Sequence, residues 1–166
     1  MRHTGVTHGH KGGAVLEIHG LEGLQDNVGK VLGSSGWITV DQQRINAFAD
    51  ATGDHQWIHV DVDRAAAGPF GAPIAHGFLT LSLIPLLSSE AVSVTGMKAK
   101  INYGCNKVRF PSPVNVGARL RDTVELTEVN VKSSGIQVVM THTIEIEGEE
   151  RPACIAEAVT IMIPED

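Results

Sequence analysis

The apolar run from Phe78 to Leu87 limits this chain to folds that can surround a hydrophobic helix. Placed on a helix, its leucines and isoleucine occupy every side, so such a helix has to be covered on most of its surface. The run is far too short to span a bilayer, and it contains Thr80, Ser82 and Pro85. We therefore predict a core helix that Pro85 bends near its end, because proline has no backbone donor.

The second half of the chain offers a cover, because its side chains alternate between apolar and polar. Leu120, Val124 and Leu126 share one face of the first alternating segment. The pattern continues over residues 136–147 and again from Ala153 to Ile163. Long antiparallel strands joined by short turns would leave one apolar sheet face. We therefore expect an α+β domain with the hot-dog fold, in which a long hydrophobic helix is wrapped by a curved antiparallel β-sheet.

A second helix is predicted from Thr39 to about Thr52. Thr39 and Gln42 match a capping box, in which a hydroxyl residue is followed three positions later by Gln. Three residues would form its buried stripe: Ile45, Phe48 and Ala49. Gly53 is expected to end the helix, which leaves residues 54–60 as a loop or extended segment. A short helix is expected over residues 61–67.

The length of 166 residues fits one domain. Residues 1–13 hold His3, His8 and His10 among glycines and threonines without apolar periodicity, so we expect a flexible N-terminal tail. Residues 14–166 would then form a single hot-dog domain. The tail histidines are not expected to bind a metal, because metal ligands need a scaffold that fixes their geometry.

Charge and cysteine content narrow the classes of partner and compartment. A formal net charge of −6 argues against nucleic-acid binding, which requires a basic surface to neutralise phosphates. Cys105 and Cys154 are too few for a disulfide framework, and no Cys-x-x-Cys spacing suggests zinc or redox chemistry. We therefore expect a cytoplasmic protein that does not enter the membrane.

Two segments carry the candidate chemistry, residues 54–61 and residues 73–82. Asp54 and His59 lie five positions apart in the predicted loop, where both side chains can reach one water molecule. Gly77 directly precedes the predicted core helix, so its amide would lie at the positive end of the helix dipole. Because Gly77 has no side chain, a negatively charged oxygen could approach that amide closely.

Water addition to an enoyl thioester requires the functions that these residues offer. Attack on carbon 3 places negative charge on the thioester oxygen, so the transition state resembles an enolate and needs a preorganised donor. Asp54 would activate water, His59 would position it and shuttle a proton, and Gly77 would stabilise the enolate oxygen. Taken alone, Asp54 also fits a turn or helix-cap role, and His59 fits a core or surface role.

The motif segments Gly53-Asp54 through His59-Val60-Asp61 and Pro73-Ile74-Ala75-His76-Gly77 resemble the MaoC-like (R)-specific enoyl-CoA hydratases, over residues 25–163. Within that family the chain is similar to the nodulation protein N-like branch, which includes mycobacterial (R)-hydratases. Three segments carry this narrower similarity: residues 54–61, 75–81 and 102–111.

The resemblance implies a lyase of the enoyl-CoA hydratase 2 type in fatty acid metabolism. Such an enzyme interconverts trans-2-enoyl-CoA and (R)-3-hydroxyacyl-CoA. The resemblance implies a homodimer with Asp54 and His59 as the catalytic dyad and Gly77 as the oxyanion donor. It implies no metal and no cofactor, since CoA is part of the substrate.

Four further residues are candidates for substrate binding: Gln56, His76, Lys107 and Arg109. Gln56-Trp57 stands where many family members have Asn-Pro, and the Gln56 amide can still make hydrogen bonds. His76 would either touch the substrate or support its neighbours. Lys107 and Arg109 share one face of a predicted strand, where they would meet the CoA phosphates or serve only as surface charges.

Two other functions stay open at this point. A hot-dog acyl-CoA thioesterase could use Asp54 and His59 to direct water at the thioester carbonyl. A non-catalytic acyl-thioester-binding subunit could keep the fold without turnover, although the intact set of Asp54, His59 and Gly77 argues against it. The products differ, because a thioesterase releases free thiol whereas a hydratase consumes the conjugated enoyl group.

Overall fold

The computed structural model describes residues 14–165. The tail predicted for residues 1–13, with its three histidines, lies outside the described residues, as does residue 166. Within the described range, no helix is long and apolar enough to cross a membrane.

An antiparallel sheet of six strands forms the body of the fold. The strands have the following bounds: β1 Leu16–His19, β2 Lys30–Ser34, β3 Ile38–Thr39, β4 Val92–Thr95, β5 Met97–Arg109, β6 Arg119–Lys132, β7 Gly135–Ile146 and β8 Cys154–Pro164. The order across the large sheet is β2-β6-β7-β8-β5, and β3 pairs with the beginning of β6. β1 and β4 form a separate parallel pair.

Short helices lie against this sheet and at its ends. Their bounds are α1 Gly20–Asp26, α2 Gln42–Thr52, α3 Trp57–Val60, α4 Val62–Ala66, α5 Gly77–Ser82 and α6 Ile84–Ser88. The predicted core helix is therefore present as two segments with a break at Leu83. Pro85 explains the break, because it has no N–H with which to continue the helical hydrogen bonds. Leu83 and Leu87 still make the adjoining bonds, to the carbonyls of Leu79 and Leu83 respectively.

The predicted alternation of β6 is confirmed. Leu120, Val124 and Leu126 are all completely buried. Leu120 packs in one apolar cluster with Leu79 and Leu87 from the two core helices. The sheet thus covers the helices with its apolar face, which confirms the expected α+β arrangement.

The capping box predicted at Thr39 is wrong. Thr39 pairs with Arg119 in the sheet, and the residue that caps α2 is Asp41, whose carboxylate accepts a hydrogen bond from the Arg44 amide at 2.8 Å. A carboxylate next to the first turn competes better for these amides than a threonine held in a strand. The predicted end is confirmed, because Gly53 follows α2 with a left-handed φ of 77°.

A polar pair that the sequence reasoning missed interrupts the inner face of the sheet. The buried His142 Nδ1–H donates to Asp122 Oδ2 at 2.7 Å. Burial raises the pKa of Asp122, and the hydrogen bond from His142 opposes that rise. Ser35 closes the arrangement by accepting from the Asp122 amide at 3.0 Å.

Candidate active site

The structure brings together Asp54, His59 and His76. One nitrogen or oxygen atom from each lies within 4.8 Å of those of the other two. The Asp54 side chain is 56% exposed, whereas His59 and His76 are 7% and 3% exposed. The carboxylate therefore faces solvent above two buried imidazoles, at a separation that one water molecule can bridge.

His59 lies on a single helical turn rather than in the loop predicted for residues 54–60. In that turn the Asp61 amide donates to the Trp57 carbonyl at 3.1 Å. Gln42, on α2, stabilises this turn, because its Nε2 donates to the His59 carbonyl at 2.8 Å. The capping-box interpretation missed this role of Gln42, since the contact spans 17 residues of sequence.

The hydrogen bond of the His59 ring defines its tautomer. Nδ1 lies 2.6 Å from the Ile74 carbonyl, which can only accept, so Nδ1 carries the proton. Nε2 of the neutral ring is then an acceptor. Burial lowers the pKa of His59, and the hydrogen bond to Ile74 partly opposes this effect. The neutral ring with a free acceptor is the form that can take a proton from water.

Asp54 directly follows Gly53, the residue that ends α2. The Gln56 amide donates to Asp54 Oδ1 at 3.4 Å, and the Asp54 carbonyl accepts from His76 Nε2–H at 2.9 Å. These two hydrogen bonds involve the carboxylate oxygen Oδ1 and the main-chain carbonyl of Asp54. They leave the other carboxylate oxygen, Oδ2, at 4.0 Å from His76 Nε2.

The segment before α5 is anchored on two sides. The Ala75 amide donates to the Val114 carbonyl, and the Val116 amide donates to the Pro73 carbonyl, both at 2.8 Å. The Ile74 amide donates to the Ile58 carbonyl at 3.0 Å. The second motif segment is thus bonded directly to the turn that carries His59, which explains why the two segments share one site.

Gly77 is the first residue of α5, so its amide belongs to the first helical turn, where the helix itself supplies no acceptor. The structure adds a second reason for glycine at this position. A Cβ atom on Gly77 would lie 3.0 Å from the ring of Phe110. The space beside Gly77 is therefore occupied by an aromatic ring that is itself 41% exposed.

The remaining substrate-binding candidates, Gln56, Lys107 and Arg109, are all exposed. The Gln56 side chain is exposed and makes no capping bond to α3, so only its backbone meets Asp54. Lys107 and Arg109 are exposed on β5, on the face opposite to Val108, which packs against the core. Arg109 Nη1 donates to the carbonyl of Val108 at 2.7 Å.

The donor set of Asp54, His59 and His76 is of a type that can hold a divalent cation. Its geometry does not favour coordination. The two histidine rings are stacked, with centroids 3.7 Å apart and planes inclined by 25°. Imidazole lone pairs lie in the ring plane, so near-parallel rings do not direct their nitrogens at one ion.

Comparison with known proteins gives a consistent picture. The family model of the MaoC like domain matches residues 24–149. The chain is 54% identical to 3-hydroxyacyl-thioester dehydratase Z of Mycobacterium tuberculosis over 132 residues, which cover 79% of this chain and 87% of that protein. It is 45% identical to nodulation protein N of Rhizobium leguminosarum bv. viciae over 145 residues, covering 86% and 90% respectively.

A solved structure supports the same comparison. The (R)-hydratase from A. caviae involved in PHA biosynthesis superposes with a TM-score of 0.66 at 27% sequence identity. The superposition covers 81% of this chain and 97% of that chain. The helices wrapped by an antiparallel sheet are thus shared with an (R)-hydratase, as the hot-dog prediction requires.

Proposed function

Because the chain belongs to the family of MaoC-like domains, we propose that it interconverts trans-2-enoyl and (R)-3-hydroxyacyl thioesters by adding and removing water. One observation carries the proposal. The Asp54 carboxylate and the His59 imidazole lie close enough to share a water molecule. They do so next to the amide that begins α5.

In the proposed reaction, water donates one hydrogen bond to Asp54 and one to Nε2 of His59. Two acceptors orient the water so that its oxygen lone pair is free to attack carbon 3 of the enoyl group. One proton passes to the dyad as the C–O bond forms, and the other stays on the new hydroxyl group. The dyad then supplies the proton that completes carbon 2, so that one water molecule is added in total.

We propose that the Gly77 amide stabilises the enolate oxygen during this addition. Negative charge develops on the thioester oxygen as carbon 3 is attacked, and a fixed N–H donor lowers the energy of that state. The amide is available because it lies in the first turn of α5. For a substrate oxygen to reach this amide, the ring of Phe110 has to leave the space in front of the Gly77 N–H open.

A CoA thioester is the substrate form that we propose, with Lys107 and Arg109 as contacts for its phosphates. Both cations are exposed on the same face of β5. No further cofactor takes part in the proposed chemistry. We place the activity in the cytoplasm, because the exposed Cys105 and the buried Cys154 are both free thiols.

We also propose that the protein acts as a homodimer assembled through β5. This strand is the last in the sheet, so one of its edges has no partner among the described residues. Tyr103 and Ile101 are 72% and 53% exposed on it, and Phe78 is 68% exposed on α5. A groove of about 420 Å³ separates the core helices from β5 and β8. A second copy would cover both the unpaired edge and this apolar surface.

The test is a series of enoyl-CoAs of increasing chain length, with chiral analysis of the product. We expect loss of the conjugated enoyl absorbance, formation of the (R)-3-hydroxyacyl product and no release of free thiol. Free thiol from a saturated acyl-CoA would favour a thioesterase instead. Unchanged absorbance with every bound enoyl-CoA would favour a non-catalytic binding subunit.

A further inference from the structure

The ring of His76 packs against two other rings. The centroid of Phe48, on α2, lies 5.0 Å away with its plane inclined by 52°, and that of His59 lies 3.7 Å away in a stacked arrangement. His76 is only 3% exposed. Its ring therefore shields one face of His59 from water.

The polar atoms of His76 are used asymmetrically. Nε2–H donates to the main-chain carbonyl of Asp54 at 2.9 Å. Nδ1 is buried and has no hydrogen-bond partner within residues 14–165. A proton on Nδ1 would be a buried donor without an acceptor, so the ring carries its proton on Nε2. His76 thus bonds to the backbone of Asp54 while its ring covers one face of His59.

We propose that His76 is a positioning residue that fixes Asp54 through Nε2 and shields one face of the His59 ring from solvent. The proposal rests on the proposed function of the dyad, and it assigns His76 no contact with the substrate. Asp54 and His76 are the ionisable groups that act on His59, while α2 contributes the neutral Gln42 amide at the His59 carbonyl.

The two contributions can be separated by substitution. In His76→Gln the amide nitrogen can occupy the position of Nε2 and still donate to the Asp54 carbonyl, but the ring is lost. In His76→Phe an aromatic ring remains against His59, but the donor is lost. The first variant therefore tests the shielding of His59, and the second tests the hold on Asp54.

We expect His76→Phe to lower kcat roughly 100-fold with little change in KM, because a displaced catalytic group costs rate rather than binding. The acid limb of its pH–rate profile should move upward only slightly, because an aromatic ring still covers His59 and only the electrostatic effect of the His76 imidazole is lost. We expect His76→Gln to keep most of kcat on the pH plateau. The acid limb of its pH–rate profile should move further to higher pH, because solvent then also reaches the face of the His59 ring that His76 covered and favours the protonated form. His55→Gln is the control, since the exposed His55 side chain bonds to Asp50.

A rise in KM with unchanged kcat in either variant would overturn the proposal in favour of substrate contact. Equal losses of kcat with no movement of the acid limb in either variant would overturn it too. Nuclear magnetic resonance gives a readout that is independent of turnover. The ¹⁵N shifts of wild-type His76 should report the Nε2–H tautomer, and the His59 titration should move upward further in His76→Gln than in His76→Phe. If these shifts are observed in a protein that hydrates no enoyl thioester, the proposed function fails while the positioning role stands.

Discussion

The free ring nitrogen of His59 decides what the dyad can do. With Nδ1–H bonded to Ile74, Nε2 accepts, and the carboxylate of Asp54 accepts as well. A water molecule between two acceptors has both of its protons engaged and its oxygen lone pair free. That arrangement suits the attack of water on an electron-poor carbon.

Replacing either dyad member should remove this orientation without unfolding the protein. We expect Asp54→Asn and His59→Gln each to lower kcat by about two to four powers of ten, the usual range for positioned acid-base groups. The measurement is the initial rate of enoyl-CoA hydration, with the thermal unfolding midpoint as a check on folding. Asp63→Asn, at an exposed position of α4, is the matched control and should leave the rate unchanged. Near-normal rates in either dyad variant would remove that residue from the mechanism.

The pKa values of His55 and His59 should be shifted in opposite directions from the ordinary histidine value. Burial lowers the pKa of His59 from its ordinary value of 6.5, whereas the hydrogen bond that the exposed His55 donates to Asp50 raises the pKa of His55. His59 therefore binds a proton more readily in the unfolded chain than in the native protein. The stability that this residue contributes is present above pH 6.5 and is lost as the pH falls below it. Proton-carbon correlation spectra recorded across the pH range measure both midpoints, and a His59 midpoint above 6.5 would contradict the burial argument.

The motif predicted Asp54, His59 and Gly77, because short spacings in one segment restrict which side chains can meet. It did not predict that Gln42 supports His59 or that Phe110 lies against Gly77. Each of these contacts joins residues far apart in sequence, so only the complete fold brings them together. The role of glycine at position 77 illustrates the difference, since a small residue was expected from the chemistry but its aromatic neighbour was not.

At the scale of elements, the start of α2 gives a direct test of the corrected cap. Asp41→Ala should lower the free energy of unfolding by about 1 kcal/mol, because the Arg44 amide loses its acceptor. Thr39→Val should be close to neutral, since valine suits the strand position that Thr39 occupies in β3. Chemical denaturation of the two variants distinguishes these roles, and a larger loss in Thr39→Val would restore the capping box.

Periodicity predicted some elements well and could not predict others. β6, β7 and β8 have one apolar and one polar face over many residues, so the alternation is clear. β1, β2, β3 and β4 span five residues or fewer, too few to show a period. β5 is long but lacks alternation, because nearly all of its side chains are exposed. The single turn of α3 depends on hydrogen bonds to distant residues, which a local pattern does not contain.

The buried pair between β6 and β7 should stabilise the sheet only as a pair. Asp122→Ala leaves His142 buried without its acceptor, and we expect a loss of about 3 kcal/mol. Combining Asp122→Val with His142→Leu should recover most of that loss, because two apolar side chains need no partners in the core. Denaturation midpoints of the single and paired variants measure the difference. Equal losses of stability in the single variant and in the paired variant would show that the cost arises from packing rather than from the unpaired histidine.

At the scale of the whole molecule, β5 connects the proposed site to the proposed assembly. The strand ends next to Phe110, whose ring packs against Gly77 and makes an edge contact with Phe78 at a centroid distance of 6.0 Å. A partner that covers β5 and Phe78 would therefore also restrict the ring beside the proposed oxyanion donor. Assembly and activity should consequently depend on each other.

Charge on the exposed face of β5 tests this dependence. We expect Tyr103→Asp to convert a dimer into a monomer and to lower hydration activity, because a carboxylate would be buried without a partner in the interface. Sedimentation analysis at several protein concentrations measures the oligomeric state of each variant. Val131→Asp is the control, since Val131 is 63% exposed at the far end of β6 and should tolerate the same charge. A Tyr103→Asp variant that sediments and reacts like the wild type would exclude β5 as the interface, because a strand edge that accepts a charge at its most exposed aromatic residue cannot be covered by a second copy.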